Sequence, residues 1–301
     1  MRFQFIEAHR EEFEVQVMCE VLDVSRSGYY TWRTRPASQR EMADEVYMEQ
    51  IKQFYDDSHQ TYGYERIWHD LQVSGILCGK HRVRRLMREQ GLVAKQTKRY
   101  KRTTKANPDH QLAPNLLDGD FEAKSPNTKW CADITYIPTQ EGWLYLAVIL
   151  DLFSRRIVGW AMDKRMKQQL VSTALLMALR QRQPREGLIH HNDRGSQYTS
   201  KTFQDLLATH KITPSMSGRG NCYDNAPVES FFGTLKTELV NHAVYRTRQD
   251  AMTDIFFFIE GFYNRSRRHS SLAFRSPADF EAAAARPISL ESCNFVSINP
   301  G

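Results

Sequence analysis

Three carboxylates stand where chemistry is favoured: Asp133 in WCADITYI, Asp193 in IHHNDRGSQY and Glu229 in NAPVESFFGTLK. Sixty positions separate the first two, and thirty-five residues lie between the second and the third. A charge framed by apolar sequence is costly to bury without a partner. Three such acids from distant segments suit an all-oxygen site for a hard divalent cation. Each alone is a weak signal, because an Asp at a strand end commonly serves a turn and a helix Glu is commonly solvated. His190 and His191, just before the second acid, invite a zinc reading. They lack paired cysteines and adjoin a strand that reads as buried, so a structural or supporting role is expected of them.

Charge points to a class of substrate by its distribution more than by its total. Across 301 residues the net charge is +6. Residues 1–79 carry eight Lys or Arg against fourteen acids, whereas residues 80–105 carry eleven against one. That basic block, KHRVRRLMREQGLVAKQTKRYKRTTK, is a candidate phosphate-contacting element, since each cation near a nucleic-acid backbone releases condensed counterions. Its candidate DNA contacts are Lys80, Arg82, Arg84, Arg85, Arg88, Lys98, Arg99, Lys101 and Arg102. The plainer alternative is a solvated helix face followed by a linker. No run of eighteen apolar residues suggests a membrane span. The opening MRFQFIEAHREEFE lacks an apolar stretch of signal-peptide length. Five scattered cysteines without CxxC spacing support neither a zinc site nor a disulfide framework, which fits a reducing compartment.

The elements that must position these residues follow from periodicity. EVQVMCEVLDV and SRSGYYTWR read as two short helices, the second capped by Ser25, in a small helix-turn-helix or a plain helical hairpin. A helix is expected over about 41–56, another in YGYERIWHDLQVSG, and a basic one over Lys80–Gln90 ended by Gly91. A basic helix after a glycine-marked turn suits the groove-entering position of a helix-turn-helix. Pro108, Pro114 and the lack of periodicity mark 95–125 as a linker that turns from basic to acidic. Beyond it, KWCADITYIP and WLYLAVILDLFSRRIVGWAM give three antiparallel strands. A helix over 166–182, the strand GLIHHND, the helix SKTFQDLLATH, the strand ITPSMS and helices over Asn225–Val240 and 248–264 complete a mixed α/β layer. On the first strand, Trp130, Ala132, Ile134 and Tyr136 share one face, and Asp133 lies on the other with Cys131 and Thr135. Asp193 ends a strand, where α/β sheets bind ligands. Glu229 shares a helix side with Gly233 and Lys236, opposite Val228, Phe231, Phe232, Leu235 and Leu239.

Together, CADITYI, HNDRGSQY and NAPVESFFGTLKTEL resemble the D-D-35-E core of the retroviral-integrase-like superfamily. They are more closely similar to the second-frame product of insertion-sequence transposases of the IS-three family. TYGYERI with the basic helix resembles that family's upstream helix-turn-helix. FYNRSRRHSSLAFRSPADF resembles its YNxxRxHSSL signature, with Tyr263, Asn264, Arg267 and His269 on the pattern. The resemblance covers about 45–275. It implies an α/β ribonuclease-H-like integrase core at 126–280, preceded by an all-α helix-turn-helix domain at 41–94. Around these lie a helical segment at 1–40, the linker at 95–125 and a tail at 281–301.

The same resemblance implies that Asp133, Asp193 and Glu229 hold two Mg²⁺, with Mn²⁺ able to substitute. Lys236 would contact the DNA end, and Arg267 and His269 would join the DNA-binding set. The implied chemistry is cleavage at insertion-sequence ends by water, then attack by the freed 3′-OH, through a joined-end circle, with the acid site served by a separate DNA-reading arm. Implied partners are double-stranded DNA (terminal inverted repeats and target), a first-frame product or fusion to it, and further copies of the chain on DNA. The expected place is the bacterial cytoplasm at the nucleoid, with no membrane. A structure-specific nuclease of the same fold and a non-catalytic DNA-binding derivative stand as alternatives.

Overall fold

The computed structural model describes residues 2–95, 113–218 and 225–285. Lys98, Arg99, Lys101 and Arg102 therefore lie outside the described residues. Helices α1 (Arg2–Ala8), α2 (Val15–Val21) and α3 (Arg26–Thr34) open the chain. Ser25 caps α3 as its position suggests, its hydroxyl accepting from Gly28 N at 3.0 Å. The first helix carries no periodic signal of its own. Its Ile6 packs with Met18, Cys19 and Tyr29 into a small local core.

Three further helices follow: α4 (Gln39–Asp57), α5 (Tyr64–Val73) and α6 (Lys80–Glu89). Ser38 and Glu41 close a reciprocal capping box at the start of α4. Between α5 and α6 the chain turns at Gly75, whose φ of +76° lies in the left-handed region that glycine enters without penalty. Trp68 Nε1 donates to the Cys78 carbonyl at 2.9 Å and pins that turn. Val83, Leu86 and Met87 bury the inner side of α6, as the sequence predicts.

Beyond the helices lies a five-stranded sheet in the order β3-β2-β1-β4-β5. Its strands are β1 (Lys129–Thr139), β2 (Gly142–Asp151), β3 (Ile157–Asp163), β4 (Ile189–Asn192) and β5 (Thr213–Met216). The first three are antiparallel neighbours, and β4 and β5 run parallel to β1. Helices α7 (Gln168–Arg182) and α8 (Lys201–Thr209) cover one face, packing on Trp130, Ala132, Ala147 and Ile149. Gly159 lets β3 approach α7 closely, since a Cβ there would lie 2.3 Å from the Ala174 carbonyl oxygen.

The other face carries α9 (Ala226–Glu238) and α10 (Arg248–Phe256), with α11 (Pro277–Ala285) closing the described chain. Here Cys131, Ile137, Leu146 and Val148 pack with Val228, Phe231, Leu235 and Ile255. The strand face that carries Asp133 is thus a core surface too. The apolar run in β2 supplies buried side chains to both faces, which is what a sheet covered on both sides needs. The same core continues through Ile51, Ile67, Leu71, Val83 and Leu86. The helix-turn-helix unit therefore shares the interior of the sheet domain, where the sequence suggested a separate arm.

Two elements differ in detail from expectation. The helix read over 248–264 widens to π pitch at Phe257–Tyr263. Directly after it, Asn264 clamps the first residue of β3, accepting from Ile157 N and donating to Ile157 O, both at 2.9 Å. Helix α11 runs across position 281, and Glu281 binds Arg182, Arg156 and Ser154 at 2.7–2.9 Å. Part of the segment read as linker is also docked: Leu117 is buried, and the Pro114 carbonyl accepts from Met216 N at 3.2 Å. Among the described residues, no helix is long and apolar enough to cross a membrane.

Candidate active site

Strand pairing explains the sixty-residue spacing of the first two acids. β4 pairs with β1 only over Lys129–Ala132, with Ala132 opposite Asn192. One residue further on, Asp133 and Asp193 are level where the strands part. Asp133 Oδ1 accepts from Ile134 N at 2.7 Å, and Asp193 Oδ1 accepts from Gly195 N at 2.9 Å. Gly195 leaves room for that carboxylate, because a Cβ at 195 would lie 2.9 Å from the same oxygen. Arg194 anchors the loop by donating from Nε to the Ser217 carbonyl at 2.7 Å. Asn225, at the start of α9, donates to the Ala132 carbonyl at 3.2 Å and ties that helix to β1 beside Asp133. Glu229 follows one turn later on the exposed side of α9, whose buried side holds Val228, Phe231, Phe232 and Leu235.

Electrostatics places these groups in one neighbourhood. Burial and then the charge of Asp193 push the Asp133 carboxyl well above the usual range, and Glu229 adds to the rise. The Ile134 N–H and the Lys236 ammonium act against it. Burial also raises Asp193, opposed by the Gly195 N–H. Lys236 is lowered by burial, against the opposing pull of Tyr136 and Asp133. Among the described residues, no three His, Cys, Asp or Glu side chains are gathered tightly enough to enclose a metal ion as they stand. The donor set is nonetheless all oxygen, and the mutual repulsion it stores is what a cation would relieve.

The two histidines take structural places. His191 Nδ1 lies 2.8 Å from Ser215 Oγ and Nε2 lies 3.2 Å from Ser217 Oγ. His190 Nδ1 meets Asn192 at 3.1 Å, and burial holds its ring down to about 3. Gly195 and Asn225 are the supporting residues that sequence reasoning passed over. The glycine beside Asp193-Arg194 was a visible signal, whereas the reach of Asn225 to β1 was not.

The candidate DNA contacts divide sharply. On α6, Arg82 and Arg85 each reach Asp44 of α4 at 2.7 Å, and Arg85 also pairs with Glu89. Burial would raise the Asp44 carboxyl, but the two guanidinium groups outweigh it and hold it below the usual range. Lys80 pairs with Glu65 at 2.7 Å. Arg84, stacked over Tyr64, and Arg88 are exposed. Arg267 is only 5% exposed and makes a fork to Glu238, the last residue of α9, at 2.6 and 2.7 Å. Arg66 of α5 approaches the same carboxylate at 3.6 Å. Neighbouring Arg268 binds Asp70 through its side chain and donates from its backbone to Tyr62. His269 stacks edge-on to Tyr263 and is held to about 3 by burial and by Arg267, Arg66 and Arg155. The segment Asn264–His269 thus joins α5, α9 and β3, an interior position unlike that of a phosphate contact.

Known families match the same two parts. An "Integrase core domain" model matches residues 123–222, a second model of that description matches 210–277, and an "HTH-like domain" model matches 41–100. An insertion element IS600 31 kDa protein of Shigella sonnei is 46% identical, covering 87% of this chain and 97% of its own length. Transposase InsF for insertion sequence IS3A of Escherichia coli is 42% identical, covering 93% and 98%. A chain of the simian T-cell lymphotropic virus intasome is similar at 16% identity and a TM-score of 0.48, covering 83% and 80%. An integrase-type core behind a helix-turn-helix unit defines a class of DNA-recombining enzymes. Within that class, the chain belongs to the IS3-family insertion-sequence transposases, polynucleotidyl transferases that carry out DNA transposition.

Proposed function

We propose that Asp133, Asp193 and Glu229 form the strand-transfer site and hold two Mg²⁺, with Mn²⁺ able to substitute. The observation that carries this reading is the parallel pairing of β4 with β1, which sets Asp133 and Asp193 level where the strands part, with the helix bearing Glu229 tied to the Ala132 carbonyl through Asn225. When bound, such ions supply charge neutralisation at the attacking and leaving oxygens of a phosphodiester. The chain's own part is positioning. The Ile134 and Gly195 N–H groups fix one oxygen of each aspartate, and Asn225 holds the helix carrying Glu229 against β1. Lys236 brings a cation alongside Asp133 for a phosphate oxygen of the DNA end.

The reaction proceeds as two displacements at phosphorus. In the first, water adds and the bridging oxygen leaves as a 3′-OH. In the second, that 3′-OH attacks another phosphodiester and a new 3′-oxygen leaves, so one P–O bond forms as one breaks. The products pass through a joined-end circle. We assign end recognition to residues 41–94, with Arg84 and Arg88 as its exposed cations, and chemistry to 126–280. Double-stranded terminal repeats and target DNA, a first-frame product and further copies of the chain complete the assembly, at the bacterial nucleoid.

The test incubates the protein and its first-frame partner with terminal-repeat DNA and Mg²⁺. Strand-joined product that disappears in Asp193→Asn is the expected result. Cleavage without joining would make the protein a nuclease. Binding alone, unchanged by the substitution, would make it a non-catalytic DNA-binding derivative.

A further inference from the structure

Helices α1 to α3 bury Ile6, Met18, Cys19 and Tyr29 in a core of their own, apart from the cores that hold α4 to α6 and the sheet. The turn between α2 and α3 repeats the hydrogen bonds of the turn between α5 and α6. Asp23 N donates to the Glu20 carbonyl at 3.2 Å, and Val24 N donates to the Cys19 carbonyl at 3.0 Å. Their counterparts are Gly75 N on the Gln72 carbonyl at 3.1 Å and Ile76 N on the Leu71 carbonyl at 2.9 Å. This closure of a helix end needs one residue in left-handed backbone. Asp23 takes that place at φ +51°, as Gly75 does at +76°. Aspartate enters the region more readily than most side chains. Val24 then packs on the small core with Leu22 and Trp32, and Ser25 starts α3. The α2–α3 pair is thus turned by the same device as the α5–α6 pair.

The outward side of α3 suits a groove. Arg26, Ser27, Tyr30, Thr31 and Thr34 are exposed and share one side of the helix, opposite Tyr29 and Trp32. No acid stands between Arg26 and Arg35. Arg26 Nη1 rests on the neutral Gln16 amide oxygen at 3.2 Å, whereas Arg82 and Arg85 of α6 are held by the Asp44 carboxylate. Nine residues of helix span about 13 Å, the length of about four stacked base pairs.

We infer that α1 to α3 form a second DNA-reading unit, with α3 seated in the major groove of the element end and Arg26, Tyr30 and Thr31 on base edges. The occupant is a DNA duplex because the outward side offers a guanidinium and hydroxyls, the donors that base-edge acceptors take, and carries no acid to repel phosphate. The inference rests on the reading of this chain as a binder of element ends and is independent of the acid site. It adds a second recognised stretch of sequence to the one assigned to residues 41–94.

The experiment uses the full-length chain with its first-frame partner, a duplex carrying the element's terminal inverted repeat, and no divalent metal. Hydroxyl-radical protection maps backbone contacts, and 7-deazapurine interference maps the major-groove edges that binding needs. Wild-type protein should show a block of interference that Arg26→Ala and Thr31→Glu abolish, while the backbone protection weakened by Arg84→Ala stays in place. Affinity for the repeat should fall about 5- to 100-fold in Arg26→Ala. Thermal melting confirms folding, and should Arg26→Ala disturb α3, Thr31→Glu at its exposed position decides the outcome. Unchanged interference and affinity in folded Arg26→Ala and Thr31→Glu would overturn the inference, as would loss of association with the first-frame partner in place of loss of base contacts. An Arg84-dependent footprint that ignores Arg26 and Thr31 sinks the second unit alone. Absence of wild-type binding to the repeat sinks the reading of end recognition as well.

Discussion

The two ends of α9 carry the same residue type to opposite ends. Near its start, Glu229 is exposed, and its charge helps to raise the proton affinity of Asp133. At its last residue, Glu238 is buried and held in a fork by Arg267, with Arg66 nearby. At one end Glu229 adds to the repulsion that raises Asp133, and at the other an arginine matches the glutamate within the protein. Both arrangements cost desolvation, but only the second compensates it inside the fold. The difference separates a cluster of mutually repelling carboxylates from a joint that holds α5 and α9 together.

The largest expected effect comes from breaking the uncompensated end. Asp133→Asn or Asp193→Asn should lower strand-joined product by about 100- to 1,000-fold or more, read on labelled element ends. Melting temperature without divalent metal should hold or rise, since repulsion is removed. A fall in stability instead would mean that the carboxylates are structural.

Breaking the compensated end should act on folding. Arg267→Ala leaves buried Glu238 with the longer 3.6 Å contact of Arg66 in place of the fork, and should cost about 3–5 kcal/mol in a urea titration. Arg267→Met combined with Glu238→Leu should recover much of that loss, because both charges are then gone. Arg267→Lys should recover little, because the two-pronged geometry is lost.

The joint also sets a pH limit. His269 has a folded pKa of about 3 against an ordinary 6.5, so the folded state prefers the neutral ring. Its contribution is full above pH 6.5 and is lost as pH falls from there toward 3. Between pH 7 and pH 5 this amounts to about 2 kcal/mol, and His269→Asn should flatten that part of the stability profile. His190, also held to about 3, should leave a residual slope of the same sign in that variant.

The smallest effects belong to α6 and sharpen the same contrast between spent and available charge. Arg84→Ala and Arg88→Ala should each weaken DNA binding about 3- to 5-fold and lower the salt slope by about one, with melting unchanged. Arg85→Ala should cost about 1 kcal/mol of stability, because its guanidinium is already committed to Asp44 and Glu89.

Much of this was legible because it is local. Ser25 announces a helix start, Gly75 marks the α5–α6 turn, and alternation in KWCADITYIP places Asp133 opposite Trp130. Pairings across the chain left no such mark. Asp44 meets Arg82 and Arg85 across thirty-eight and forty-one positions, and Glu238 meets Arg267 across twenty-nine. Counting charges along the sequence therefore overstates what α6 and the HSSL segment can offer to DNA. Trp143 reads as one more apolar residue of a strand, and only the register of the hairpin puts it on Tyr136.

Each of the two outer strands is met by a polar group from outside the sheet. An unpaired strand edge is a template on which another chain can grow a sheet. In this sheet β3 enters against the Asn264 amide, which satisfies both polar groups of Ile157, and β5 ends against the Pro114 carbonyl. At those positions the catalytic sheet is closed to strand addition. Copies that meet there must do so through side chains of helices and loops, which keeps recognition between molecules specific and aggregation through the sheet unfavourable.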